Sequence, residues 1–392
     1  MGLNDTPSSE RLHIGFFGIR NAGKSSLVNR ITNQQVSLVS DVKGTTTDAV
    51  KKSMELLPLG PVVIIDTAGI DDEGELGEMR VAATKEVLKT CDIAILVTEN
   101  EKLVKSEIEL LRVIKTKDIP YLIVHNKADI QEKFSEDKIY VSAKTGDGIE
   151  ELKEIIAKIL VDKIKEIHFI SDFISEGDTV ILVCPIDESA PKGRLILPQQ
   201  LAIRDILDKN AVAITIQPEE LTKTLSKLNE PPALVVTDSQ VFGKVMKLVP
   251  ESIPLTSFSI LMARYKGFLY TALEGAKALD SLNDGSKVLI SEGCTHHRQC
   301  NDIGTVKLPR WLDEYTKKKL NFEFTSGHGF PDNLSDYDLV IHCGGCMLND
   351  NEMKNRRLTA EKQQVPFTNY GTVIAKMNGI LERSTQILKS GD

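Results

Sequence analysis

Eight consecutive residues constrain this chain more than any other feature. Gly18-Ile19-Arg20-Asn21-Ala22-Gly23-Lys24-Ser25 follows the apolar run LHIGFF and precedes a run with helical spacing. A strand, a glycine-rich loop ending in Lys-Ser and a helix together make a phosphate-binding unit, because the glycines let N–H groups wrap an anion at the helix N-terminus. Lys24 is placed to reach the β- and γ-phosphates and the Ser25 hydroxyl to ligate magnesium, while Gly18, Asn21, Ala22, Gly23 and Ser26 line the phosphate site. From Leu12 to about Leu160, the runs LHIGFFG, VVIID, IAILV and YLIVHN alternate with amphipathic segments. That alternation predicts a parallel, helix-flanked sheet.

The phosphate loop alone does not choose between ATP and GTP. Asn126-Lys127-Ala128-Asp129, closing the run YLIVH, chooses guanine. The Asp129 carboxylate can accept from both N1–H and the 2-amino group of guanine, whereas adenine would leave that charge unpaired. Ser142-Ala143-Lys144 follows the next short strand and is placed to offer backbone N–H to the guanine oxygen. Asp66-Thr67-Ala68-Gly69 ends VVIID and supplies a carboxylate for the outer coordination sphere of magnesium, with the Gly69 amide toward the γ-phosphate.

With 392 residues the chain is long enough for two or three compact units. The net charge of −8 disfavours a nucleic-acid-coating role, which needs a concentrated basic face. No window approaches the run of about 18 apolar residues that a membrane span needs, and no secretory pattern opens the chain. A cytoplasmic protein that engages neither membrane nor nucleic acid is expected. Met1-Gly2 followed by Thr6 fits a myristoylation pattern by coincidence, since no second anchoring signal accompanies it.

Past residue 168 the alternation resumes with shorter units, TVILVCP, LAIRDILD, AVAITI, ELTKTLSKL and ALVVTD, and then KVLI and DLVI. The expected fold is α/β, a P-loop GTPase domain followed by two smaller α/β domains, with boundaries at 1–168, 169–266 and 267–392. No internal repeat is evident.

Six cysteines in a chain without a secretory signal point to a reducing compartment, where clustered thiols are more often metal ligands than disulfides. Cys91 and Cys184 sit beside or within apolar runs and read as small buried hydrophobes. Cys294-Thr295-His296 and His342-Cys343-Gly344-Gly345-Cys346 each follow a strand-like run, so both fall where α/β sheets gather functional loops. Spacing leaves structural zinc and an iron–sulfur cluster both open. His13, His297 and His328 have no partner pattern and read as structural or surface residues.

Residues 10–160 resemble the potassium-dependent GTPase group that includes tRNA-modifying (MnmE) and ribosome-assembly (Der) GTPases. That resemblance implies that Asn21 ligates potassium in place of an arginine finger. Gly44-Thr45-Thr46-Thr47-Asp48 resembles the switch-one motif of the group, implying that Thr45 lines the nucleotide, Thr46 ligates magnesium and 40–44 close over potassium. Thr47 stands where the group usually has arginine. Ile70 follows DTAG, so a water-orienting glutamine is missing, and Glu78 is the candidate for that task. The implied catalytic set is Lys24, Asn21, Thr46, Gly69 and Glu78.

The CxH motif, 45 further residues and HCxxC, behind such a G domain and an α/β middle domain, resemble the HydF family of FeFe-hydrogenase maturation GTPases over nearly the whole chain. The resemblance implies a 4Fe-4S cluster on Cys294, Cys343 and Cys346, with His296 and His342 in the family's histidine positions. It also implies a homodimer, and as partners the radical-SAM hydrogenase maturases and the apo FeFe-hydrogenase. Cys300 lies outside the family pattern and is expected not to ligate. Two rivals stand beside this reading: an RNA-modification or ribosome-assembly GTPase with structural zinc, and a redox protein with a closed four-cysteine cluster.

Overall fold

A computed structural model of the chain describes residues 6–33, 49–70, 75–130, 135–161, 168–186, 195–294 and 302–389. The chain divides into two compact units, Met1–Glu166 and Ile167–Asp392.

In the first unit, β1 (Leu12–Phe17), α1 (Lys24–Thr32), β2 (Val50–Leu56), β3 (Gly60–Asp66), α2 (Glu75–Thr90), β4 (Ile93–Thr98), α3 (Lys105–Thr116), β5 (Tyr121–His125), β6 (Ile139–Tyr140) and α4 (Ile149–Val161) follow in order. Among the described residues the strands form one sheet in the order β2-β3-β1-β4-β5-β6, with β2 antiparallel to β3 and the other neighbours parallel. Alternate side chains divide between two faces. Ile14, Ile64 and Ile95 pack with Leu27 of α1 and Leu152 of α4, whereas Val63, Ile65 and Leu96 pack with Leu88 of α2 and Ile114 of α3. Burial on both faces explains why β4 reads as the unbroken apolar run IAILV. Since β1, β3, β4 and β5 are parallel, the loops after them share one edge.

The second unit continues with β7 (Thr179–Val183), α5 (Leu197–Asp208), β8 (Val212–Ile216), α6 (Leu221–Leu225), β9 (Leu234–Thr237), α7 (Phe242–Val245), β10 (Leu255–Ser257), α8 (Phe258–Tyr265) and α9 (Leu269–Ala276). It ends with β11 (Lys287–Glu292), α10 (Leu308–Thr316), β12 (Asn321–Ser326), β13 (Leu339–His342), α11 (Asp350–Lys362), β14 (Phe367–Asn369), α12 (Tyr370–Met377) and α13 (Leu381–Thr385). Two parallel sheets result among the described residues, ordered β10-β9-β7-β8 and β12-β11-β13-β14. A shared core joins them, with Ile181 and Val235 of one sheet in the same apolar cluster as Ile290 and Ile341 of the other.

The two sheets repeat one topology. Written by order of appearance, each reads fourth, third, first, second strand across the sheet. Even the register agrees: Val183 pairs with Thr237 and Thr237 with Ser257, as Ser291 pairs with His342 and His342 with Asn369. The expectation of no internal repeat is therefore corrected. Buried strands accept Val, Ile and Leu interchangeably, so the copies share a hydrophobic pattern and few identities. Their clearest trace lies at the last strand and helix, where Thr256, Ala263 and Gly267 align with Thr368, Ala375 and Gly379.

The equivalent helices α8 and α12 begin alike and then touch. Ser257 caps one, its Oγ accepting from Ile260 N–H, and Asn369 caps the other, accepting from Thr372 N–H. Their equivalent residues Ser259 and Gly371 meet, with Gly371 N–H donating to Ser259 Oγ at 3.1 Å. A Cβ on Gly371 would lie 2.8 Å from Ser259 Cβ. Gly371→Ala is expected to destabilise the second unit by about 1–3 kcal/mol through overpacking. Denaturant unfolding followed by far-ultraviolet circular dichroism checks it, and an unchanged midpoint would show that the crossing has room to give.

Candidate functional site

The phosphate loop leaves β1 at Gly18 and enters α1 at Lys24. Gly23 is left-handed at φ 85°, and a Cβ there would lie 2.2 Å from Asn126 Nδ2, so only glycine fits. Asn21 is also left-handed, at φ 63°, which asparagine tolerates better than most residues, and its side chain is exposed. Lys24 is buried, its Nζ donating to the Gly18 and Ile19 carbonyls at 2.9 and 2.7 Å. Ser25 Oγ donates to Asp66 Oδ2 at 2.6 Å, bringing together two of the three residues predicted for magnesium. The Asp66–Gly69 loop lies against the phosphate loop, with Ile70 N–H on Gly18 O.

Asn126 connects the loops. Its Nδ2 donates to Ala22 O at 3.0 Å and its Oδ1 accepts from Ala143 N–H at 3.1 Å. Ser142 and Ala143 thus spend their N–H groups inside the protein, on Asp147 O and Asn126 Oδ1, instead of facing outward as expected. The Ser142 hydroxyl takes another role, donating to Asp129 Oδ1 at 2.7 Å. That bond holds the Asp129 carboxyl below the usual carboxylate range, so the group is ionised at neutral pH. Lys127, at φ 65°, pairs with Glu99, a residue the motif did not point to. Lys144 is exposed, and Ser26 lies in the first turn of α1. Thr45 and Thr46, with the 40–44 loop and Thr47, lie outside the described residues. Glu78 falls on α2, its side chain also outside them.

A second group occupies the carboxyl edge of the β11 and β13 sheet. Cys294 follows β11, and Cys343 and Cys346 follow β13. Cys343 Sγ accepts from Gly293 N–H at 3.1 Å and Gly345 N–H at 3.3 Å. Burial pushes the Cys343 thiol up while those two N–H groups pull it down. Burial pushes the Cys294 thiol up, and the like charges of Cys343 and Cys346 add to it. Among the described residues no cysteine is in a disulfide, and no group of three His, Cys, Asp or Glu side chains is placed to hold a metal ion. His296, His297 and Cys300 lie outside the described residues. A thiol set with backbone N–H aimed at sulfur nonetheless has the donor chemistry of an iron–sulfur site.

His342 departs from its expected role as a ligand. It is fully buried between Phe330 and Phe367, its Nδ1 2.8 Å from Cys343 O and its Nε2 2.9 Å from Arg356 Nη1. Both nitrogens are engaged within the protein and neither is left for a metal. Burial, then the Arg356 charge, lowers its pKa to about 3. Arg356 was not found from sequence because it lies on α11 among other charged residues, and its burial is set by the fold alone. His13 and Cys91 are buried, and His328 is exposed with Nδ1 on Glu352.

Residues 13–127 match the 50S ribosome-binding GTPase family. The tRNA modification GTPase MnmE of Legionella pneumophila (strain Paris) is 36% identical over 157 residues, covering 38% of this chain and 35% of that protein. MnmE of Aquifex aeolicus (strain VF5) is 34% identical over 157 residues, covering 38% and 34%. The chain thus spans about a third of the length of these curated relatives. Among solved structures, Aquifex aeolicus Era bound to GDP.AlF4- is 18% identical, covers 60% of this chain and 97% of that chain, and has a TM-score of 0.35. Residues 169–267 match the hydrogen maturase F dimerization domain and residues 270–387 the hydrogen maturase F tetramerization domain. With a GTPase domain in front of both of these segments, the chain belongs to the hydrogen maturase F family.

Proposed function

We propose that this chain is a GTP-hydrolysing scaffold that carries a diiron precursor to apo FeFe-hydrogenase. The observation that carries the reading is the joint presence of two sites in one chain: guanine-nucleotide loops on the edge of the first sheet, and three thiols at a strand edge within the tetramerization domain. In the first site Lys24 binds phosphate, Ser25 and Asp66 with Thr46 hold magnesium, and Asp129 reads guanine. Gly69 N–H faces the γ-phosphate, and Glu78 positions water. In the second, Cys294, Cys343 and Cys346 would hold a 4Fe-4S cluster, which when bound supplies one iron with an exchangeable or histidine-type ligand, for which His296 is the remaining family histidine. The radical-SAM maturases would load the cargo, and GTP hydrolysis would time partner binding or release. The chain acts as an oligomer, as the names of its two matched domains imply, and the cytoplasm is its place of work.

Anaerobic reconstitution with iron and sulfide, followed by metal analysis and EPR, tests the second site. About four irons per chain and a signal perturbed by imidazole or cyanide support the carrier. Zinc alone supports the RNA-directed rival, and a cluster inert to both probes supports the closed redox protein. No single described geometry favours either rival, and the matches to residues 169–267 and 270–387 weigh against the first.

Asn21 also makes a prediction about catalysis. Its left-handed, exposed position suits a ligand to a cation in the phosphate loop, and Ile70 stands where a water-orienting glutamine would be. GTP hydrolysis is expected to run at least about tenfold faster in potassium than in sodium at equal ionic strength, since a positioned cation is worth several kcal/mol of transition-state charge stabilisation. Asn21→Ala should remove the difference. Phosphate-release assays in the two salts check it, and equal wild-type rates would eliminate potassium as the arginine substitute.

A further inference from the structure

We propose that Arg356 is a positioning residue of the thiol site, acting through the His342 ring on the main chain at Cys343; as a statement about metal loading it rests on the iron–sulfur reading of that edge. Arg356 projects from α11, is 2% exposed, and gathers the ends of three neighbouring strands. Nη1 donates to His342 Nε2 at 2.9 Å, at the end of β13, and to Ser291 Oγ at 3.4 Å, in β11. Nη2 donates to the Gly327 carbonyl, just past β12, and to Glu352 Oε1 at 2.6 Å. The guanidinium also lies 5.1 Å over the Phe330 ring, so packing as well as hydrogen bonding fixes it.

The chemistry of the donors assigns the protons. A guanidinium can only donate, so His342 Nε2 must present a lone pair and the ring proton must reside on Nδ1. From there it donates to the Cys343 carbonyl at 2.8 Å. Cys343 N–H is meanwhile held by Ser291 O at 2.9 Å. Both main-chain groups of the cysteine are thereby fixed, and its Sγ is aimed where Gly293 and Gly345 donate to it. The opposite tautomer would set the Nδ1 lone pair against the carbonyl lone pairs and turn either the ring or the peptide. α11 begins a few residues after Cys346, capped by Asn349, so Arg356 ties the far end of the thiol loop back to its start. Such supporting partners of a metal ligand are typically worth about 10–100-fold in metal affinity.

The test separates the Arg356–His342 contact from the buried ion pair that accompanies it. Arg356→Met combined with Glu352→Gln removes the guanidinium without leaving an unpaired buried carboxylate, and Glu352→Gln alone removes the ion pair while keeping the contact. Nitrogen-15 histidine-labelled protein without metal is read by long-range proton–nitrogen NMR, with the His342 signal assigned by its loss in His342→Asn. The wild type and Glu352→Gln should show one Nδ1–H tautomer and the double variant a mixture. After reconstitution, the double variant should lose iron to a chelator about tenfold faster than Glu352→Gln. An Nε2–H tautomer in the wild type, nitrogen from His342 bound to iron in its EPR spectrum, or equal iron retention in the two variants would overturn the proposal. Failure of the wild type to bind any cluster would sink the iron–sulfur reading instead, while the tautomer comparison would still judge Arg356 in the metal-free protein.

Discussion

Serine in place of any one of Cys294, Cys343 or Cys346 is expected to abolish stable iron–sulfur loading and to leave GTP hydrolysis within about twofold of wild type. Losing a mere supporting partner of a metal ligand costs about 10–100-fold in affinity, so losing a ligand must cost at least as much. Cys343 should be the most sensitive, because two N–H groups converge on its sulfur and a serine oxygen would sit shorter of them. Hydrolysis should survive because the contacts that shape the nucleotide loops, from Lys24 to Ser142, are all made inside the first unit. Iron and sulfide per chain, EPR and phosphate release are measured on the same preparations. Cys300→Ser belongs in the series: retained cluster in that variant agrees with three-thiol ligation, and its complete loss would mean a closed four-thiolate site.

Asp129→Asn should weaken GTP binding by about 100-fold or more and shift preference to xanthine nucleotide. The carboxylate accepts two guanine protons, and a charged hydrogen-bond acceptor is worth more than a neutral one. Xanthine carries an oxygen where guanine carries the 2-amino group, so it needs the donor that an asparagine amide supplies. Ser142 sharpens the expectation, since its hydroxyl already holds Oδ1 of Asp129 at 2.7 Å and would hold the amide oxygen the same way, leaving NH2 toward the base. Titration of both nucleotides against both proteins decides it. Unchanged GTP affinity with no gain for the xanthine form would place the base elsewhere.

Much of this was legible in the sequence because the nucleotide loops are local. Gly18 to Ser25 is one contiguous stretch whose backbone shape depends on glycine at Gly23, and its flanking strand and helix announce themselves by period. The thiols were legible for the same reason: Cys343 and Cys346 are near neighbours, and Cys294 follows an apolar run. Roles set by contacts far apart in the chain were not. Asn126 was expected to serve the base, yet it also clamps Ala22 to Ala143, a connection over more than a hundred residues in one direction. His342 was read with the cysteine beside it, whereas its bonding is decided by Arg356 on a later helix. Ser142 was expected to act through its N–H and acts on Asp129 through its hydroxyl. The repeat escaped because β7 to β10 and β11 to β14 preserve order and register, which a list of residues does not display.

The contact between Ser259 and Gly371 carries a consequence for how such a unit can change. In a true two-subunit isologous interface, a residue on the symmetry axis faces its own copy, so any substitution is made twice and must suit both sides. Here the two copies are tethered in one polypeptide and each side varies alone. One position supplies a hydroxyl that accepts from the Gly371 N–H, and its counterpart supplies the space for that hydroxyl. Two serines would collide at that crossing, and two glycines would lose the bond. Tethering thus permits a complementary pair where exact symmetry would permit only a compromise, and it lets His342 and Cys343 stand in one copy where Thr237 and Asp238 stand in the other.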